Sequence, residues 1–453
     1  MSSAPSANLG TLNVEPIFSA SSTLPSIIFE WVALIPLVIY LSTYRHSYKL
    51  VGRSALGCSL GVTLFPKLGI LSSIADLLEQ GSEYLDRACS MSELRKDVWD
   101  ANFGGRFPCA NGAASEIITS SIMQHASKTI TMPGTRSADT LRILPHRKRA
   151  EVAVSNSDEL PQFRRYQTLH ILHCSHHRSA PALSDRVFKF FTHQVSQIAI
   201  IFVLLGGFVV SCLFGLYGTG AAVLSSALFH LCRQFIHINR PDTYLLNNEV
   251  DHSSGCMLAG IHSNASTWYL YTGDRGIIDS LLNKPMILSI TTSRYVNTKY
   301  LASFLRLLAL LQLVSMTFVA AQKGWDGIGM LVLVILAWLS DIVVYGENQL
   351  TKRWLFSAGI EIKTKRFQFS GRATMIGAIQ IFKKNPVEGW MDEILAPSDR
   401  RKLWLERLQS NDSTPETKIR EASLSISDQE WVERNLVFAR QAAEILLGEF
   451  PTV

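Results

Sequence analysis

The sequence predicts a mainly α, polytopic helical membrane protein with about five transmembrane helices and small α+β cytoplasmic segments. Three observations carry that expectation. Apolar residues make up 47% of the 453 positions and charged residues only 18%, below the roughly 25% typical of soluble domains. Five stretches, 26–43, 196–216, 219–237, 300–320 and 327–345, meet or approach the roughly 20 apolar residues that a helix needs to cross a hydrocarbon core. Basic residues gather at one set of their ends: Arg45, Lys49 and Arg53 after the first, Arg186 and Lys189 before the second, Arg233 and Arg240 at the third, Arg294 and Lys299 before the fourth, Lys352 and Arg353 after the fifth. Such residues favour the cytoplasm, which sets the amino terminus outside and the carboxyl terminus inside.

In chain order, residues 1–25 are rich in Ser, Ala and Pro with Glu15 as their only charge, and read as a disordered extracytoplasmic stretch. The apolar run 26–43 is followed by Tyr44-Arg45-His46 rather than by a small-residue cleavage site, so it reads as retained. Residues 44–195 form a cytoplasmic loop. Within it 55–78 is apolar but broken by Pro66 and Lys67; an amphipathic helix near 66–88, lying in the membrane interface, competes there with a sixth span. The rest of the loop carries β-like runs at 128–132 and 151–154 and the basic cluster Arg147-Lys148-Arg149, and reads as partly ordered.

Two hairpins follow, 196–237 and 300–345, because the links at 217–218 and 322–326 leave room only for antiparallel neighbours. Gly207, Ser211 and Gly215 on one helix and Gly218, Ala222 and Ser226 on the next are spaced for close backbone approach. Between the hairpins, 238–299 reads as strand, strand, helix, with strands at 256–261 and 267–272 and a helix at 277–283. The tail 346–453 repeats that order, with strands at 354–362 and 365–369, the turn Gly371-Arg372 and a helix to Lys384. A distant internal repeat would account for the likeness. Amphipathic helices at 398–408 and 431–447 close the chain, the second opened by a capping box of Ser427 with Glu430. The seven cysteines are odd in number and never paired as C-x-x-C, which predicts free thiols in a reducing compartment.

Chemistry-bearing residues are few. His170, His173, His176 and His177 give an H-x-x-H-H spacing known from di-iron sites, but the other histidines form no second box, so the cluster reads as a solvated polar strand and only a weak metal candidate. No cofactor and no catalytic residue is expected. The turn Gly273-Asp274-Arg275-Gly276 suits either a phosphate at a helix N-terminus or a helix cap with a local ion pair; His262, Asp274 and Arg275 are the weak ligand-binding candidates. Glu30, Arg306 and Asp341 are charges inside apolar stretches, where an isolated charge is costly. Arg306 and Asp341 lie at matched depth on neighbouring helices, which predicts an ion pair between them. The sequons at Asn264 and Asn411 fall on the cytosolic side of this topology and should carry no glycan.

The stretches 261–286 and 390–401, IHSNASTWYLYTGDRGIIDSLLNKPM and WMDEILAPSDRR, resemble a group of filamentous-fungal multi-pass membrane proteins of unassigned activity. The resemblance covers roughly residues 190–405, implies a fungal membrane protein tied to secondary metabolism, and carries over no catalytic residue. The function these readings favour is a non-catalytic membrane protein whose cytoplasmic layer binds a protein partner or a small ligand. A transporter or channel subunit and a membrane-bound enzyme on a lipophilic substrate are the alternatives. The lipid bilayer is the expected partner, nucleic acid is not, and a homo-oligomer stays open.

Overall fold

The computed structural model describes residues 26–41, 46–62, 64–90, 95–124, 129–135, 165–176, 183–249, 252–322, 324–383, 387–409 and 421–450. The stretch 1–25, the cluster at 147–149, the run at 151–154, His177 and Asn411 lie outside these. At the centre is a mixed seven-stranded sheet in the order β2-β1-β6-β7-β4-β9-β3. Its strands are β1 (Asp97–Asp100), β2 (Arg106–Pro108), β3 (Ile130–Thr131), β4 (Gln167–His176), β6 (Ser254–Gly260), β7 (Thr267–Asp274) and β9 (Ile360–Phe369), while β5 (Ile236–Asn239) pairs separately with β8 (Ser289–Thr292). β4 runs parallel to β7 and antiparallel to β9.

The sheet corrects the mainly α expectation, and β4 corrects the solvated polar strand. Alternation along β4 sends Leu169 and Ile171 into one core and Leu172 and Cys174 into the other, so the strand is buried on both faces. One face is covered by α12 (Arg372–Lys383), α13 (Asp399–Gln409) and α14 (Ile426–Glu449), with Trp268, Phe367 and Phe369 meeting Ile376, Trp404 and Ala443. The other face meets α2 (His46–Gly57), α3 (Leu68–Gln80), α5 (Gly112–Met123), α8 (Arg275–Leu282) and the first half of α9 (Thr298–Gln322).

Beyond that second core lies a layer of apolar helices: α1 (Ser26–Leu41), α6 (Leu183–Leu213), α7 (Tyr217–Arg233), α9 and α10 (Trp325–Tyr345). Among the described residues only Thr298–Gln322 and Trp325–Ala358 are long and apolar enough to cross a membrane. This overturns the five-span reading. α1 has 16 residues with Pro36 inside it, and α7 has 17 and is buried along most of its length. The apolar run 219–237 reads as a span, but in the fold α7 is buried by its neighbours.

The link between α9 and α10 locks α7 in place. Asp326 accepts from the backbone N–H of Gly218 at 2.7 Å and of Thr219 at 2.8 Å, capping a helix start that has no cap of its own. The small residues of α7 are divided between neighbours: Gly218 faces Val319 and Asp326, whereas Gly220 faces Ser211 and Cys212 of α6. The expected small-residue seam with α6 is therefore only partly used.

Three further readings change. The amphipathic segment is two helices, α3 and α4 (Ser82–Ser90), joined at Gly81 with φ +59°; Leu71, Ile74 and Leu77 are buried in the sheet-facing core, so 55–78 neither spans nor lies apart. Trp354 belongs to α11 (Glu347–Ala358), which Gly359 ends in the left-handed conformation, so the tail contributes one strand and the proposed repeat fails. The cap of α14 is Ser425, whose Oγ accepts from Asp428 N at 3.2 Å, two residues before the expected box.

Candidate functional site

β9 ends at Phe369, Ser370 and Gly371 turn the chain, and Arg372 opens α12. Arg165 stands beside the same turn because Gln167 of β4 pairs with Phe369 of β9. Arg400 arrives from α13 and Arg434 from α14. Together with Ser370, Thr374 and Asn435 these four arginines line a cleft of about 500 Å³, and among the described residues no Asp or Glu lines it. The first turn of α12 opens on the same cleft, adding the positive end of a helix.

Neutral groups hold the two central arginines. Arg165 Nη1 donates to Asn264 Oδ1 at 2.8 Å and its Nη2 to the Asn264 carbonyl. Arg372 Nη2 donates to the same Oδ1, and its Nη1 to the Ile394 carbonyl at 2.9 Å. These acceptors orient both guanidinium forks without cancelling their charge. Burial, and then the neighbouring charge of Arg165, push Arg372 below its ordinary value, the direction expected where like charges meet without a counter-charge. Arg400 is partly satisfied: it donates to Asp428 at 3.3 Å and lies over Trp431 at 4.8 Å. Thr374 donates to Asn435 Oδ1 at 3.2 Å, which fixes two further polar groups at the floor. A planar fork of this kind suits phosphate or carboxylate bidentately.

The sequence candidates do not converge. His262 is in the β6–β7 turn, where its Nδ1 accepts from Asn264 N at 3.1 Å, so it steadies the residue that holds Arg165 and Arg372. Asp274 and Arg275 lie at the other end of the eight-residue β7, roughly 26 Å away at about 3.3 Å per residue. There Asp274 Oδ1 caps α8 through Ile277 N at 3.1 Å. Arg275 is buried against Asp100 at 3.2 Å and Asp279 at 3.5 Å. Gly276 faces the backbone at Leu245–Asn247, which leaves no room for a phosphate. Of the two Gly-Arg turns, the later one opens on a cleft.

The histidines are separated by strand geometry. His170 stacks on Tyr269 with ring centroids 5.3 Å apart, His173 turns toward Phe450 at 6.0 Å on the opposite face, and His176 approaches Asp274 at 3.7 Å. Residues three apart on a strand point to opposite faces, so an H-x-x-H spacing that would converge on a helix diverges here. No group of three metal-ligating side chains forms among the described residues. The charges Arg306 and Asp341 do not pair either. Arg306 is held by Asp76 at 2.9 Å and Glu79 at 2.8 Å of α3, and Asp341 by Arg53 of α2 at 2.7 Å. Glu30 is exposed on α1.

Sequence reasoning missed Arg165, Arg400 and Arg434 because they come from three separate segments that only the sheet and its helices bring together. The legible signal was Gly371-Arg372 after a strand. Comparison of the chain with protein families, with curated proteins and with solved structures returns no match. The resemblance to fungal membrane proteins therefore rests on its two stretches alone; they meet at this cleft, where Asn264 of one and Ile394 of the other both accept from Arg372.

Proposed function

We propose that the protein is a membrane-embedded binding protein for a phosphate-bearing solute, taken up in the arginine cleft on the cytoplasmic side. The observation that carries this reading is four arginines around one cleft that no carboxylate lines among the described residues. Membrane embedding is supported by the α9–α10 hairpin, whose most apolar windows are largely unburied, and by the outward side chains beside it. Leu310, Val314, Leu336, Trp338 and Val343 on the hairpin, Trp31 and Val38 on α1, and Phe202 and Val209 on α6 are all exposed, a larger apolar surface than soluble monomers leave in water. Arg233, Arg294, Lys299, Lys352 and Arg353 flank the body end of this layer, which supports a cytoplasmic body. The cleft lies on the face of the sheet covered by α12 and α14, away from α9, which favours a dissolved anion over a lipid headgroup.

The test is binding of inorganic pyrophosphate to purified protein, measured by equilibrium dialysis at rising ionic strength. Saturable binding that weakens with salt and falls at least tenfold in the Arg165→Gln/Arg372→Gln variant is expected. Undiminished binding in that variant would remove the cleft from consideration.

A further inference from the structure

A second cavity, of about 760 Å³, lies on the other face of the sheet between α2, α4 and the start of α5. Its size falls within the roughly 300–1,000 Å³ of small-ligand sites. The walls are apolar, formed by Val51, Ala55, Leu85, Ala113, Ala114 and Ile287. Four charged side chains interrupt them: Glu83, Asp86 and Arg87, all exposed, and Arg95, half-buried, whose Nε is buried without a hydrogen-bond partner among the described residues. An unsatisfied buried guanidinium nitrogen is costly unless something accepts from it.

The start of α5 adds to the same corner. Asn111 occupies the N-cap position without capping; its amide donates to Ser280 O at 2.8 Å and to Lys284 O, and its Oδ1 accepts from Met286 N at 3.2 Å. Ala113 and Ala114 of that uncapped first turn line the cavity next to Arg95. At the mouth Glu83 and Arg87 close on each other at 2.9 Å and Asp86 is exposed, so Arg95 is the one half-buried charge among the lining residues.

We propose that this cavity binds a long-chain carboxylate, the head on Arg95 and the first turn of α5 and the chain between α2 and α4. Charge complementarity fixes the head and the apolar walls fix the tail. The site is independent of the arginine cleft.

The experiment uses a palmitate analogue bearing a diazirine near its chain end, photolysed with the full-length protein in nanodiscs. Label is expected on peptides from α2, α4 or α5, competed by palmitate but not by its methyl ester. It should fall at least fivefold in Arg95→Met, persist in Arg95→Lys, and be lost in Ala114→Trp, which fills the cavity. A thermal midpoint within a few degrees of the parent qualifies each variant. Label confined to α9 and α10, equal competition by the methyl ester, or retention in both Arg95→Met and Ala114→Trp would each overturn the proposal.

Discussion

Lys96 and His170 are two bases the fold keeps away from water, and both meet Tyr269. Lys96 Nζ lies 4.1 Å from the Tyr269 ring centroid and 3.4 Å from Thr119 Oγ1. Burial pushes Lys96 down to about 8; burial first, then Arg366 and Lys96, push His170 down to about 4. Each group binds fewer protons folded than unfolded, Lys96 between about 8 and 10.5 and His170 between about 4 and 6.5. Stability therefore rises with pH through each window and is lost as pH falls. At about 1.4 kcal/mol per pH unit each window is worth roughly 3 kcal/mol. Lys96→Met should raise the thermal midpoint at pH 7, and the gain should vanish above pH 10.5. His170→Leu should flatten the loss of stability between pH 6.5 and 4 while leaving pH 7 little changed. A lowered midpoint for Lys96→Met at pH 7 would show that the Tyr269 contact outweighs the burial. The histidine spacing was legible in the sequence, but its meaning was not, since it depends on whether the backbone turns as a helix or runs as a strand.

Among the elements, α2 and α3 were the hardest to read and matter most for the charges. Depth arithmetic placed Arg306 and Asp341 level on α9 and α10, but α3 presents Asp76 and Glu79 to the first and α2 presents Arg53 to the second. A polar face seen as turned to water is in fact turned to its own chain. Arg53 grips Asp341 with two hydrogen bonds, at 2.7 and 3.1 Å, in a partly buried setting. A double-mutant cycle of Arg53→Leu with Asp341→Leu, read by thermal unfolding, should give a coupling of about 1–3 kcal/mol. The same cycle for Arg306→Leu with Asp341→Leu should be additive within about 0.5 kcal/mol. Coupling in the second cycle and none in the first would restore the direct pair. By contrast β6, β7, α8, α12 and α13 were recognisable from alternation, turn residues and amphipathic spacing. β4 reads as a strand but as a solvated one, because a strand buried on both sides carries no apolar alternation, and α11 is missed because only Gly359 marks where it yields to β9.

At the scale of the whole molecule, composition foresaw an apolar helical layer but not the sheet, because the sheet's strands are separated by both hairpins and drawn from segments far apart in sequence. The apolar windows could not separate helices that face lipid from one that fills the layer's interior. α7 has Ala222, Ser225, Ser226 and Ala227 all inaccessible, whereas α10 turns Ile335, Leu336, Trp338, Leu339 and Val343 outward. If a bilayer covers that outward surface, the protein should stay in the pellet through alkaline carbonate extraction. A tag between Gln322 and Gly324 should then be reached from the side opposite a carboxyl-terminal tag. Leu336→Arg with Leu339→Arg puts two charges on the outward face of α10 without touching the buried seam of α7. At about 2.5–3.5 kcal/mol per charge near the middle of a membrane helix, the pair should cost at least 5 kcal/mol of insertion and shift the chain out of the membrane fraction. In water the same two substitutions would cost almost nothing and would improve solubility. The sign of their effect on recovery therefore separates a lipid-covered surface from a protein-covered one. Release of the parent protein by carbonate, together with better recovery of the double variant, would mean that the exposed belt meets another protein surface.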